Sequence, residues 1–468
     1  MDARLIPNEA IMEYTKRLAE LACGVEYENL PSEVIKRSKE AMLDTIGVTL
    51  AGSEEESARI IAEYVRELGG NPQATIINKK MKSSVFNAAM VNGAMGHILD
   101  YDDVSLTILG HPALAVFPAV MAIAEKEHYS GKDIITAFVT GYEVIASLGR
   151  GLVPAFCNQG WHSTATLGTF GAAAAVGKLL GFGVDQMVTA LGTSGSEAAG
   201  IKGNMGTMTK HLQVGRASAD GIRAALLTQK GYTSSPAIFE GKDGFCKVFA
   251  KEFDLNKMVS NFGEPYDLVD VGATFKKWPS CYATAPTLEA TSWLVENYDI
   301  KPDQVKHVTV SAPYFVKDVL FYTEPKTVFE AKFSAAFCVA VTLVKRQAYL
   351  SEFKDEVVQS PEIQELIKKV DHIIGPEFKD IGYAPPADEG PSRTKVIIEL
   401  NDGRTLEKEI QFPKGSPQRR LSETEVVEKY INCASLVMDK DKIDQTVDIV
   451  LNLEKDTSIG KLISLLAG

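Results

Sequence analysis

The chain has no CxxC pair and no close Cys/His spacing. Its six cysteines, Cys23, Cys157, Cys246, Cys281, Cys338 and Cys433, are scattered over 468 residues. That usage excludes a common zinc framework and a disulfide scaffold, and suits free thiols in a reducing cytosol. Positive charge is in deficit: 49 Lys and Arg against 61 Asp and Glu give a formal net charge of −12. Nucleic-acid binding, which needs a basic face, is therefore set aside. An anionic ligand would need a locally basic pocket to overcome the global field. The N-terminus, MDARLIPNEAIMEYTKRLAELACG, lacks a basic segment followed by an apolar core, so no secretory leader is expected. Long apolar runs are missing too. The most apolar stretch, TATLGTFGAAAAVGKLLGFGV at 164–184, is rich in Gly and Ala and broken by Lys178. A spanning helix needs about 20 strongly apolar residues. Repeats and low-complexity segments are absent. The expectation is a cytoplasmic protein with no membrane or nucleic-acid partner.

What is present is an ordinary globular composition, 45% hydrophobic and 24% charged, with length enough for two domains. The first half carries helix signals: PSEVIKRSKEAMLDTIGVTLAG, ESARIIAEYVRELGG, GKDIITAFVTGYEVIASLGRG and ADGIRAALLTQKGY repeat apolar residues at helical spacing and end on glycine or polar residues. Several are apolar nearly all round, as in helices buried inside a large bundle. The character changes near Phe262. DQVKHVTVSAPYF alternates, and TKVIIELNDGRTLEKEIQFP predicts a hairpin turning at Asn401-Asp402-Gly403-Arg404. Helical stretches lie between them, which predicts an α+β region with a small antiparallel sheet. After Pro413 helices return, with Ser422 and Glu425 spaced as a capping box. The expected fold is mainly α: a large all-helical domain from 1–265 and 415–468, and an inserted α+β lid domain at 266–414.

The stretch GHILDYDDVSLTILGHPALAVFPAVMAIAE places Asp100, Asp102 and Asp103 within four positions, flanked by His97 and His111. Pro112 favours a helix start, so His111 falls at or beside an N-cap, and Pro118 is expected to kink or split that helix. A helix N-terminus suits an anion and keeps an imidazole neutral. Aspartates before a helix also serve in turns and caps, with a histidine satisfied by backbone, and that reading stays open. His162 in QGWHSTATLG again precedes a Gly/Ala-rich helix. GIKGNMGTMTKHLQVGRASADG offers Lys202, Lys210, His211 and Arg216 among glycines, and FKKWPSCYATAP offers Lys276 and Lys277. Cations in apolar or Gly-rich surroundings need partners, and a multi-carboxylate ligand would supply them. The DYDD run also admits a magnesium-dependent prenyl diphosphate lyase, but that chemistry needs a second acidic motif on a late helix, and none is found.

Six segments in order, GHILDYDDV…GHPALAVFPAVMAIAE, GWHSTATLGTFGAAAAVGKLLG, MTKHLQVGRASADGIRAALLTQKGY, FKKWPSCYAT, EAKFSAAFCVAV and FPKGSP, make the chain resemble the MmgE/PrpD family over nearly its whole length. That family includes 2-methylcitrate dehydratases, cis-aconitate decarboxylases and an iminodisuccinate epimerase. The resemblance implies a helical domain plus an α+β lid, a homodimer, no metal and no organic cofactor. It places Asp100, His111, His162, Lys210 and Lys276 in a cleft between the two domains. Three positions depart from the family pattern. Val104 followed by Ser105 stands where the decarboxylases carry threonine. His111-Pro112-Ala113-Leu114 replaces the dehydratases' His-Pro-Ser. Ala285 stands where many relatives keep a histidine.

The expected chemistry is proton abstraction from a carbon alpha to a carboxylate. Lys210 and Lys276 would hold substrate carboxylates and the enediolate-like charge, His111 and His162 would move protons, and Asp100 would orient or balance one imidazole. Asp103, Ser105, Lys202, His211 and Lys277 are the further candidates for substrate binding. Loss of a β-hydroxyl gives a dehydratase acting on a small di- or tricarboxylate, the reading preferred here. Loss of CO2 gives a decarboxylase, reprotonation an epimerase of an amino- or imino-dicarboxylate, and binding without turnover a carboxylate-binding protein.

Overall fold

The computed structural model describes residues 13–381 and 389–468. Residues 1–12, on which the expectation of no leader partly rests, lie outside the described residues, as do 382–388 within the expected inserted domain. The chain is mostly helical with small sheets. Helices Val85–His97, Pro112–Glu127, Gly131–Leu152, Ser163–Leu179 and Thr209–Gln229 pack against one another as the centre of a bundle. Ser163–Leu179 shows why its sequence is apolar on every side: apart from Lys178, all of it is buried. The C-terminal helices Glu423–Ala434, Lys440–Leu451 and Gly460–Leu466 return to this body and join its apolar core. Ser422 and Glu425 form the reciprocal capping box read from the sequence.

Two glycines set the crossing that matters for the site. Helices Val85–His97 and Thr209–Gln229 meet where Gly93 faces Gly215, and a Cβ on Gly215 would lie 2.0 Å from the Met90 carbonyl oxygen. Backbone contact this close is open only to glycine, and it draws His97 toward the first turn of the facing helix, where Lys210 stands. Pro118 does not split its helix, which runs unbroken from Pro112 to Glu127. The carbonyl of Leu114, denied an N–H by Pro118, accepts the Ser218 hydroxyl at 3.1 Å instead.

A second apolar core gathers residues between Trp278 and Ile410. Its sheet orders the strands Val370–Ile374, Val305–Ala312, Thr394–Leu400 and Thr405–Ile410. The Thr394–Leu400/Thr405–Ile410 pair is the hairpin expected from Asn401 to Arg404. The sheet is not wholly antiparallel, however: Val305–Ala312 and Val370–Ile374 run parallel. The five-residue strand VDHII follows directly on the helix Pro361–Ile367, and the helices between the two strands supply the crossover that parallel pairing requires. A short hairpin, Ala74–Ile76 with Met81–Ser83, interrupts the helical first half. Among the described residues no helix is long and apolar enough to cross a membrane.

Candidate active site

The segment from His97 to His111 folds as a knot of polar side chains over buried helix ends. Asp100 has φ +52°, a left-handed conformation that Asp tolerates better than most residues. The turn sends its carboxylate between two lysines. Lys210 Nζ lies 2.6 Å from Oδ2, Lys276 Nζ contacts Oδ1, and Lys276 also donates to the Asp100 carbonyl oxygen at 2.8 Å. Asp102 instead serves the imidazoles: the Nδ1 atoms of His97 and His111 lie 2.9 and 3.0 Å from its Oδ2. His111 Nδ1 also donates to the Asp103 carbonyl oxygen at 2.7 Å. Asp103 itself accepts from the Ala113 backbone N–H at 3.3 Å and the Tyr142 hydroxyl at 3.4 Å.

His111 and His162 are both N-caps, of helices Pro112–Glu127 and Ser163–Leu179. His162 Nδ1 pairs with Gln213 Oε1 at 2.9 Å, and Gln213 stands one turn from Lys210 on the same helix. The His97 ring lies 4.5 Å from that of His111 and stacks 6.1 Å from that of His162, so three imidazoles form one cluster.

The charges follow from these contacts. Burial alone would raise the Asp100 carboxyl, but the ammonium groups of Lys210 and Lys276 hold it well below the usual carboxylate range. Asp102 is likewise buried and kept ionised by His111 and His97. Burial, with the Asp102 charge beside it, pushes Asp103 up instead. Burial and the Lys210 charge lower His162 to about 3, so its ring is neutral. Burial resists the charge on Lys276, but Asp100 prevails and raises it. One carboxylate between two ammonium groups leaves the bridge itself one positive charge in surplus, while the second ionised carboxylate, Asp102, is turned to the imidazoles, so an anion is favoured at the Lys210–Asp100–Lys276 bridge.

A cleft of about 770 Å³ including its mouth opens onto this cluster, within the range of small-molecule sites. Asp100, His111, His162, Lys202 and Lys210 line it, with Tyr282, Phe315, Val319 and Phe333 contributed from beyond residue 278. Lys276 stands behind Asp100, buried. His211 lies off the main cleft, in a smaller chamber that shares Asp100, Lys210 and Phe333 with it.

Four expectations need correction. Asp100 does not orient an imidazole. Its oxygens are taken by two lysines, and Asp102 holds the histidines. Asp103 does not reach the cleft because its carboxylate faces the first turn of the Pro112–Glu127 helix, the cap-and-turn role that the sequence left open. Ser105 is buried and donates to Asp267 at 3.1 Å, pinning its loop with Thr107. Lys277 turns its ammonium over the Trp278 ring, 5.1 Å from the centroid, while its carbonyl accepts the Tyr101 hydroxyl. Sequence reasoning also missed four residues at the site: His97 and Lys332, which wall the smaller chamber, and Asp102 and Gln213, which hold the histidines. His97 and Asp102 sat in the polar stretch already noted, five residues apart. Gln213 was signalled only by its i,i+3 spacing from Lys210. Lys332 was signalled only by being a cation in the apolar run EAKFSAAFC.

His97, Asp102 and His111 bring three donor atoms within 4.8 Å, close enough for a metal. The donors are engaged with one another, however, and a His111 Nδ1 that donates to a carbonyl carries a proton, so it has no lone pair for a metal. The cleft thiols of Cys157 and Cys281 are both pushed up by burial to about 11, which makes them poor nucleophiles. The arrangement is equipped to move protons beside a bound anion.

Comparison with known proteins gives a concordant result. Residues 16–258 match the MmgE/PrpD N-terminal domain and residues 278–455 the MmgE/PrpD C-terminal domain. The chain is 27% identical to a cis-aconitate decarboxylase of Aspergillus terreus over 476 residues, covering 97% of this chain and 95% of that protein. It is 27% identical to the human cis-aconitate decarboxylase, covering 97% and 94%. It is 24% identical to the mitochondrial 2-methylcitrate dehydratase of Yarrowia lipolytica, covering 86% and 80%.

Proposed function

The chain belongs to the MmgE/PrpD family, and on that premise we propose that it is a lyase of a small di- or tricarboxylate, working by proton transfer at a carbon alpha to a carboxylate. The observation that carries the reading is the Lys210–Asp100–Lys276 bridge, with its surplus positive charge, beside two histidines at helix N-termini. The surplus cation binds the substrate carboxylate and stabilises the enediolate that forms when the α-proton leaves. Each preorganised donor of this kind is worth about 3–4 kcal/mol at the transition state.

The two histidines divide the work. His162 gives its Nδ1 proton to Gln213, so Nε2 is a bare lone pair, and the ring is neutral: it is the base. His111 has its Nδ1–H on the Asp103 carbonyl with the Asp102 carboxylate alongside, contacts that fix the ring and leave Nε2 as the atom that meets the substrate: it is assigned the role of acid. It delivers its Nε2 proton to a leaving hydroxide in dehydration. In decarboxylation the bond that breaks is carbon–carboxylate, and the same acid protonates the resulting carbanion. The dehydratase remains the preferred reading, and a decarboxylase is favoured by one observation: the likeness to cis-aconitate decarboxylases spans more of the chain than the likeness to the dehydratase.

The second apolar core, with Tyr282, Phe315, Val319 and Phe333 on the cleft, is the lid of this proposal, and the helical body formed by both chain ends is the base. A homodimer, on the resemblance alone, and a cytoplasmic setting, on the scattered and unpaired cysteines, complete it. The test is proton NMR of the enzyme with cis-aconitate, citrate and 2-methylcitrate in deuterated water. Loss of substrate signal is expected: dehydration replaces the α-proton signal of citrate or 2-methylcitrate by an alkene product with no new C–D bond, whereas CO2 loss from cis-aconitate places a solvent deuterium on the carbon that is protonated. Near wild-type turnover in both His111→Ala and His162→Ala would overturn the assignment.

A further inference from the structure

Beside the main cleft lies a smaller chamber, about 230 Å³ with its open mouth included, against about 770 Å³ for the cleft counted in the same way. Three of its wall residues have no role in the proton chemistry above: His97, His211 and Lys332. All are buried, at 1%, 2% and 3% exposure. The Nε2 atoms of both histidines lack a hydrogen-bond partner. Lys332 Nζ donates to the Ile98 carbonyl oxygen at 2.9 Å and, among the described residues, enters no ion pair. A buried ammonium held by one carbonyl and by the face of the Phe329 ring, 5.5 Å from its centroid, is still costly unless an anion joins it. Unpartnered buried nitrogens are rare in folded proteins and call for an explanation.

The chamber shares Asp100, Lys210 and Phe333 with the cleft, so a substrate held at Lys210 can extend an arm into it. Asp100 brings the one carboxylate of the chamber wall and is already paired with two lysines. The remaining groups are cationic or able to donate: the spare N–H bonds of Lys332, and His211 in the tautomer that places its proton on Nε2. His97 uses its Nδ1 proton on Asp102, so its Nε2 accepts, and an O–H from the ligand or a water satisfies it.

We propose that this chamber seats a second carboxylate of the substrate, held by Lys332 and His211. The proposal deepens the lyase reading and rests on it for the position of the first carboxylate.

The test pairs tricarballylate, which has three carboxylates and no leaving hydroxyl, with butyrate, which has one carboxylate. NMR titration of Lys332→Met should show tricarballylate binding weakened at least tenfold and butyrate binding within twofold of wild type. Lys332→Arg should recover most of the tricarballylate affinity. A crystal structure of the wild-type protein with tricarballylate needs no variant and should place a carboxylate within 3.5 Å of Lys332 Nζ. A bound tricarballylate confined to the main cleft, or equal loss of both ligands in a folded Lys332→Met, overturns the proposal. The two ideas fail separately. Turnover of a tricarboxylate with KM unchanged in Lys332→Met keeps the lyase and removes the chamber. Lys332-dependent tricarballylate binding without turnover of any acid in the NMR screen does the reverse.

Discussion

Replacing Asp100 by Asn tests the electrostatic centre of the site. Asn tolerates the left-handed backbone at φ +52° as well as Asp does, so the turn itself is unstrained by the change. The charge is another matter. In the native protein one buried carboxylate compensates two buried ammonium groups, Lys210 and Lys276, whose side chains are 8% and 2% exposed. Removing one partner of a buried ion pair costs about 3–5 kcal/mol, because the survivor is left uncompensated. Here two survivors remain, so the upper end, about 5 kcal/mol, is expected at pH 7. The pH dependence has a definite sign. Asp100 is held well below its unfolded value, so its contribution is fully present above the unfolded carboxylate range, near pH 4, and is lost as pH falls through the folded value. The difference between wild type and Asp100→Asn should therefore be constant from about pH 5 to 7 and shrink on acidification. Urea unfolding followed by fluorescence measures it. Tricarballylate supplies the variant with the missing negative charge, so it should raise the variant's unfolding midpoint more than that of wild type. A loss below about 1 kcal/mol at pH 7, in the range of an exposed pair, would refute the claim that Asp100 is the common counter-ion of both lysines.

Gln213→Glu replaces the neutral partner of His162 Nδ1 with a carboxylate, which favours the imidazolium over the neutral base. The acid limb of the kcat profile should move to higher pH while KM changes little, and an unmoved profile would show that Gln213 does not set the His162 proton. Gly215→Ala forces a Cβ against the Met90 carbonyl and should cost about 3 kcal/mol in denaturation experiments. It should also abolish turnover by separating Lys210 from the histidine cluster. Lys332 is lowered by burial to about 8, with Glu55 and Asp100 raising it and Lys210 and Lys276 lowering it. Its charge is thus lost as pH rises through 8, so KM for a tricarboxylate should rise above that pH in wild type but not in Lys332→Met.

How far the site could be read in advance depended on the distance its contacts span along the chain. His111 and His162 were legible because an N-cap is a local event, written in His-Pro and in a histidine before a Gly/Ala-rich helix. The hairpin at Asn401–Arg404 was legible for the same reason, and the parallel partner strand at Val370–Ile374 was not, since five residues after a helix carry no periodicity of their own. Asp100 was misassigned because its true partners lie 110 and 176 residues away, whereas the histidines beside it in sequence belong to Asp102. Lys332 reaches the site across 234 residues. These long-range charges were visible only as anomalies: lysines in apolar or glycine-rich runs of an acidic protein. That anomaly has a general physical content. An acidic chain that buries two lysines on one carboxylate, with the second carboxylate, Asp102, committed to imidazoles, keeps a locally positive bridge against its own field. Such a bridge is stable only while its charge is nearly balanced, and an anion that completes the balance is bound most strongly where the chain alone falls short. In this protein the shortfall is at Lys332 and along the Lys210–Asp100–Lys276 bridge, so the substrate's carboxylates are expected at those two places.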